Sequence, residues 1–336
     1  MISSRRWLVV VVSLFAAPAG ATTYVVDVGG GYDYTAIGPA VAAAADGDTI
    51  LVHPGTYAGP ENRGLSPGTK NLVIESSGTW ENTIVDCGGV ARWLSFGFAD
   101  IDSTTVVRGF TVTNGWARQF TEDGGGAIHC YSATPIIEDC RFTGNEGNYA
   151  GAVKVLYGDA IIRACVFTDN EAVCGGALHS AYCSPRIRRC TFAGNTATLF
   201  GGAFRAYAGS PVFTNCTFAD NSSAPGGGCL QFDGAGVAGT VDRCIVAFSP
   251  QGMPVGGYGA TTAHSIVFEN ASGDSLVDPL FCGLAGGDLT LCANSPALPA
   301  HNPWGLSAGH LGQGCSECAS AATPTSWGAI KALFAE

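Results

Sequence analysis

The chain has 336 residues with 48 Gly, 16 Pro and 14 Cys, and only 13% are charged, a composition that favours many tight turns over long charged helices. Twenty-seven acids against 16 Lys and Arg give a formal charge of −11, which argues against a nucleic-acid partner because phosphate binding needs a basic footprint. Hydrophobic content of 46% is ordinary for a folded chain, and no internal run reaches the roughly 18 apolar residues of a membrane span, so no transmembrane segment is expected in the mature chain.

In chain order, residues 1–21 read first as an export signal. Arg5 and Arg6 make a positive n-region, 7–17 an apolar h-region, and Ala19-Gly20-Ala21 a small-residue cleavage site. The mature chain is then expected to start near Thr22 and to be secreted, either extracellular or at the cell surface. One capping helix is expected at Thr35–Ala45 (TAIGPAVAAAA). A first strand follows at Thr49–His53, a turn at Pro54-Gly55-Thr56-Tyr57, and strand-like runs at Leu72–Glu75, Thr83–Asp86 and Thr105–Thr113.

From residue 124 the sequence repeats itself. Gly125-Gly126-Ala127-Ile128 recurs as Ala150-Gly151-Ala152-Val153, Gly175-Gly176-Ala177-Leu178, Gly201-Gly202-Ala203-Phe204 and Gly227-Gly228-Cys229-Leu230, in steps of 25, 25, 26 and 26. A second signature, Cys-x-Phe-x-x-Asn, starts at Cys140, Cys165, Cys190 and Cys216, each 14 residues after the second Gly. Short β-type runs (Ala127–Tyr131, Pro135–Glu138, Cys140–Phe142) fill each unit, with no amphipathic helix. Three short strands per repeat, stacked at about 4.8 Å, describe one coil of a parallel β-helix. The fold class is therefore all-β: a single-stranded, three-sheet solenoid of about nine or ten coils over residues 22–275, with regular repeats at about 124–270. Residues 276–318 form a Cys- and Pro-rich cap, and 319–336 a linker with a short amphipathic tail, Ser326–Phe334, suited to docking on surface-sorting machinery.

Stacking assigns each column a place. Ile128, Val153, Leu178, Phe204 and Leu230 point inward, as do Phe142, Phe167, Phe192 and Phe218 beside a cysteine column expected to stay as buried thiols. Asn145, Asn170, Asn195 and Asn221 are expected to bridge turns through their side-chain amides, and Asn also tolerates left-handed geometry. The disulfide candidates lie in the cap, where short loops favour Cys282 with Cys292 and Cys315 with Cys318. Zinc at Cys315-x-x-Cys318 has only His301 or His310 in support.

The Gly-Gly-Ala-[Ile/Val/Leu] and Phe-x-x-Asn motifs resemble the repeats of the polymorphic outer-membrane protein family. The opening Asp33-Tyr34-Thr35-Ala36-Ile37…Ala45-Asp46-Gly47-Asp48-Thr49-Ile50…Pro54-Gly55-Thr56-Tyr57 is similar to the start of pectin-lyase-like β-helix proteins, including pectinesterases. Together these cover about residues 24–290 and imply a right-handed coil. The catalytic signatures of polygalacturonases and pectinesterases, paired Asp motifs, Gly-His-Gly and Gln-Asp-Thr-Leu, are missing, and the segment after the repeats does not read as a membrane β-barrel.

The position after each inward residue should face out, giving a polar stripe His129, Lys154, His179, Arg205 and Gln231, with Tyr131, Tyr157, Tyr182 and Tyr207 shortly after. Cations beside aromatic rings suit an acidic polysaccharide. A twelve-residue connection from Asn114 to Gly126 carries Trp116, Arg118 and Phe120 over His129 and completes the expected ligand surface. The expected role is a noncatalytic carbohydrate-binding, adhesion or structural surface module, needing no cofactor, with a polysaccharide or cell-surface glycan as partner. The alternative is a polysaccharide lyase acting through the His129/Lys154/His179/Arg205 stripe, with Lys154, His179 or Arg205 as base and Ca²⁺ at Glu146, Asp169 and Glu171.

Overall fold

A computed structural model of the chain describes residues 20–97, 100–118, 124–225, 227–247, 253–267, 281–283, 288–293, 295, 297–301 and 307–316. Residues 1–19 of the expected export signal, Phe120, Cys318 and the tail at 319–336 lie outside the described residues.

Each full coil gives one strand to each of three parallel sheets. Sheet A has ten strands, from Thr23–Val26 to Thr261–Ala263; sheet B has nine, from Gly55–Ala58 to Ile266–Val267; sheet C has seven, from Leu94–Phe96 to Met253–Gly257. The three-sided solenoid of about ten coils is thus present. A fourth, four-stranded sheet D (Trp116–Ala117, Glu146–Gly147, Glu171–Cys174, Thr196–Phe200) adds to it between the strands of B and C. Two further details differ from expectation. The first described strand is Thr23–Val26, and Gly55–Ala58, expected as a turn, is the edge strand of sheet B.

The corners explain how 25 residues close a coil. In the regular coils each is turned by a single residue with positive φ. Gly109, Asp139, Ala164, Arg189, Asn215 and Arg243 turn the chain before sheet B; Asn114, Gly144, Asp169, Gly194 and Asp220 turn it after sheet B. Ser132, Tyr157, Tyr182, Ala208 and Gly234 turn it after sheet C. The left-handed conformation therefore falls one residue before Asn145, Asn170, Asn195 and Asn221, not on them. A residue with that geometry reverses chain direction without a longer loop, which keeps successive coils in register. The second glycine of each repeat has a separate reason: a Cβ on Gly176 would lie 2.0 Å from the carbonyl oxygen of Gly202 on the next coil.

Inside, identical residues stack on identical residues. Phe142, Phe167, Phe192 and Phe218 are in register across sheet B and fully buried, with ring centroids 5.1, 4.7 and 4.7 Å apart. Each such ring contributes about 1.5–3 kcal/mol by leaving water. Below the next corner, each Asn side chain spans two coils. Asn170 donates through Nδ2 to the Phe142 carbonyl (3.0 Å) and to Asn195 Oδ1 (2.9 Å), while its Oδ1 accepts from the Asn145 backbone amide (3.1 Å). The interior thiols behave as small apolar groups. Cys140, Cys165, Cys190, Cys216 and Cys244 are free and buried, and the first three donate to carbonyls at 3.2–3.3 Å. Burial pushes the Cys140, Cys165 and Cys190 thiols well up.

A short helix, Ile37–Ala43, packs Ile37, Ala40 and Val41 into the core near the N-terminal coil, and Lys70 Nζ donates to the carbonyls of Val41 (2.6 Å) and Ala44 (2.9 Å) at its C-terminal end. Near the other end, Phe281–Gly283, Asp288–Cys292 and Gln313–Cys315 form a small sheet. Leu291, Ala297 and Ala308 of this region pack on the outward Ile245 and Ala247 of sheet B, so it covers a side wall of the tube. The small sheet also changes the disulfide. Cys282 is bonded to Cys315, with Cα atoms 6.0 Å apart, so neither Cys282–Cys292 nor Cys315–Cys318 forms. Strand pairing sets the neighbours here, and loop length along the sequence does not report it.

Candidate functional site

The outward stripe is assembled as expected but not left open to solvent. His129, Lys154, His179 and Arg205 pair in register along sheet C, followed by Gln231. Lys154 is 2% and His179 3% exposed, Gln231 is also buried, and His129 and Arg205 are partly covered. The cause is the connection through sheet D, which brings aromatic side chains over the stripe. Lys154 Nζ lies 4.5 Å from the Tyr149 ring centroid, and the His179 ring meets Tyr149 edge-on at 5.4 Å. Arg205 lies over Phe200 at 5.4 Å and over Tyr207 at 5.7 Å.

Charges in the stripe are also engaged. Arg205 Nε donates to Asp233 Oδ2 (3.0 Å), and Gln231 Nε2 donates to the other Asp233 oxygen (2.7 Å). The guanidinium of Arg92 is 3.0 Å from His129 Nδ1. Among the described residues, neither ring nitrogen of His179 has a hydrogen-bond partner. Burial, with the Lys154 and Arg205 charges beside it, holds His179 well below the usual histidine range, so the ring is neutral at pH 7. Lys154 and His179 therefore do not present the solvent-facing cations expected for a base or for an acidic sugar.

The tyrosines come together and stay exposed. Tyr131 and Tyr207 end their sheet C strands in register, while Tyr157 and Tyr182 sit one residue later, on the corner. Despite that offset the four rings form one ladder over four consecutive coils. Centroids are 5.7 Å apart for Tyr131–Tyr157, 5.3 Å for Tyr157–Tyr182 and 5.5 Å for Tyr182–Tyr207. The central pair is stacked at 16°, and the outer two rings stand at 84° and 80° to it. Exposure is 44, 52, 53 and 39% in chain order. Burial and the neighbouring Tyr207 and Tyr157 phenols raise the Tyr182 hydroxyl, which keeps it protonated as a donor.

The connection after Asn114 divides. Trp116 is half-buried in sheet D, and Arg118 leaves the stripe to hold two acids, Nε to Glu146 Oε1 and Nη2 to Glu171 Oε1, both at 2.5 Å. Glu146 and Glu171 are register neighbours, but Asp169 sits on the corner two residues before Glu171. These three carboxylates do not converge, and the guanidinium occupies the place a Ca²⁺ ion would need. Among the described residues, the one group of three close ligand atoms is Cys282, Cys292 and Cys315, and the Cys282–Cys315 bond consumes two of those sulfurs. His310 lies by Thr191 Oγ1 at 3.3 Å, on the side wall, where burial lowers its pKa.

Sequence spacing places the stripe and the tyrosines but misses the roof. Tyr149 and Phe200 share a place in the repeat, two residues before the second glycine, but Cys174 stands between them and no residue type recurs there, and the partners Arg92 and Asp233 lie one coil from His129 and Arg205. On sheet A, charged neighbours pair across coils. Arg163 Nε pairs with Glu138 Oε2 (2.5 Å), and Arg108 reaches Glu75 and Glu138.

Among the described residues, no helix is long and apolar enough to cross a membrane. Comparison with known proteins matches residues 81–246 to the family described as right handed beta helix region. Among solved structures the chain is similar to "Pectin methylesterase from Carrot", with 13% identity over 81% of this chain and 96% of that one and a TM-score of 0.42. No curated protein matches. With three parallel sheets in coil-by-coil register across that same stretch, residues 81–246 form a right-handed parallel β-helix.

Proposed function

We propose that this is an exported, noncatalytic β-helix that binds a glycan along the ladder Tyr131–Tyr157–Tyr182–Tyr207. The exposed ladder itself carries this reading. Large aromatic rings left open on four successive coils form an apolar patch with phenol hydroxyls, which suits sugar faces and sugar hydroxyls together.

A lyase needs a base that touches its substrate, and Lys154 and His179 lie buried beneath and beside Tyr149, while Arg205 is covered by Phe200 and paired with Asp233. Affinity electrophoresis through gels containing neutral and acidic glycans, with absorbance for unsaturated products, tests the reading. We expect retardation without product, reduced at least tenfold in affinity by Tyr157→Ala with Tyr182→Ala. Product formation, or retardation that the double variant leaves unchanged, would overturn it.

A further inference from the structure

Resting on the glycan reading of the tyrosine ladder, we propose that the ligand is a glycan carrying closely spaced anionic groups, and that Arg186, Arg188 and Arg189 of sheet A receive them. The outward charged column of sheet A runs Glu75, Arg108, Glu138, Arg163, Arg188 in strict register. Its first four members alternate in sign, and each acid is held by an arginine. At Arg188 the alternation breaks: the neighbour of Arg163 is a second arginine, one strand spacing away, which is unfavourable unless something anionic covers both.

The same strand adds two more charges. Arg186 is the one charged residue in a column whose nearest members are Val73, Val106, Ile136, Ile161 and Val212, with threonines beyond them, and Arg189 turns the following corner. All three arginines are exposed, and among the described residues none forms an ion pair. The next coil offers Val212, Thr214 and Asn215, with no acid to balance them. On a chain of net charge −11, this is a concentrated positive island that no acid pairs among the described residues. Arginine suits planar or tetrahedral oxyanions because its fork donates two parallel hydrogen bonds.

The island adjoins the ladder. Arg186 follows Tyr182 by four residues of the same coil, a reach of at most about 13–14 Å, so one chain molecule can lie on the rings and extend charged substituents to the guanidinium groups. The buried stripe is therefore not what selects an acidic ligand; the exposed strand on the adjoining face is.

The test uses the full chain with dextran, dextran sulfate and polygalacturonate as probes, in the wild type, in Arg186→Gln/Arg188→Gln/Arg189→Gln and in Tyr157→Ala/Tyr182→Ala. All substituted side chains are exposed, and thermal melts confirm folding of each variant. We expect an acidic polymer to bind at least tenfold more tightly than dextran, to lose that advantage in the arginine variant and to lose it near 1 M salt, where screening acts within about 3 Å. The dextran sulfate and polygalacturonate arms tell sulfate from carboxylate. Dextran bound as tightly as both acidic polymers, with dependence on the tyrosines alone, overturns the inference and keeps the ladder. Acidic binding lost in the arginine variant but intact in the tyrosine variant keeps the arginine site and overturns the ladder. Acidic binding equal in wild type and arginine variant overturns the inference outright.

Discussion

The interior of sheet B and the exterior of sheet C repeat with the same period, yet they are built on opposite rules. Inside sheet B, Phe, Cys and Asn recur unchanged because each residue's main contact is its own equivalent on the next coil. Outside sheet C, His129, Lys154, His179, Arg205 and Gln231 vary along the column, because each is fitted to its own surroundings: Arg92, Tyr149, or Asp233. Repetition of identity marks a column that packs on itself. Repetition of position with changing identity marks a surface fitted residue by residue to something else.

The largest effects should come from the self-packing columns. Phe192→Ala removes a ring stacked between Phe167 and Phe218, both 4.7 Å away, in a wall that cannot collapse inward without breaking coil register. A loss of about 3–5 kcal/mol in chemical denaturation is expected. A loss below about 1 kcal/mol would mean that the column is not what holds the coils together. Asn195→Ala should follow. It strips acceptors from the Asn170 backbone amide and Nδ2 and a donor from the Phe167 carbonyl, all buried, for about 2–4 kcal/mol by the same measurement. If Asn195→Ala costs no more than an exposed substitution, the amide ladder is incidental to the fold.

This contrast also says what can be read in advance. Phe142 to Phe218, Asn145 to Asn221 and the buried thiols are legible because stacking converts a sequence period directly into contact. Sheet D is not legible: Glu146–Gly147 and Thr196–Phe200 share a place in the coil but neither residue type nor length. The burial of Lys154 and His179 depends on that sheet, so alternation correctly gives the direction of these side chains and wrongly gives their exposure. The tyrosine ladder is half legible. Its four members are visible, but only the corner geometry shows that residues from two register positions meet in one line. The Cys282–Cys315 pair depends on tertiary strand order and has no local signal.

The exterior of sheet C gives a smaller effect with a distinctive pH signature. His179 is neutral when folded, with its pKa depressed by burial and by Lys154 and Arg205, while the unfolded chain has an ordinary histidine. Below about pH 6.5 the unfolded state therefore binds the extra proton, and stability falls as pH falls, by up to about 1.4 kcal/mol per unit for this one group. His310, also lowered by burial, acts in the same direction. Denaturation midpoints from pH 7 to pH 5 should drop in the wild type and drop less in His179→Phe, which keeps a ring under Tyr149 but cannot be protonated. Equal slopes in the two proteins would show that His179 is solvated and that the roof does not cover the stripe.

The smallest effect is expected where the surface is fitted by charge alone. Arg118 bridges Glu146 and Glu171, but all three side chains are substantially exposed, so solvent and salt screen the pairs. Arg118→Ala should cost no more than about 1 kcal/mol, with that loss shrinking as salt is added. Metal addition makes the comparison sharper than the mutation alone. While Arg118 holds both carboxylates, a Ca²⁺ ion would have to displace a guanidinium to gain two oxygens, with Asp169 too far round the corner to help. Calcium or a chelator should therefore leave the melting temperature of the native chain where it was. A rise that grows with Ca²⁺ concentration, as binding to the folded state alone requires, would show that these acids are a metal site and that their pairing with Arg118 is the resting state of that site.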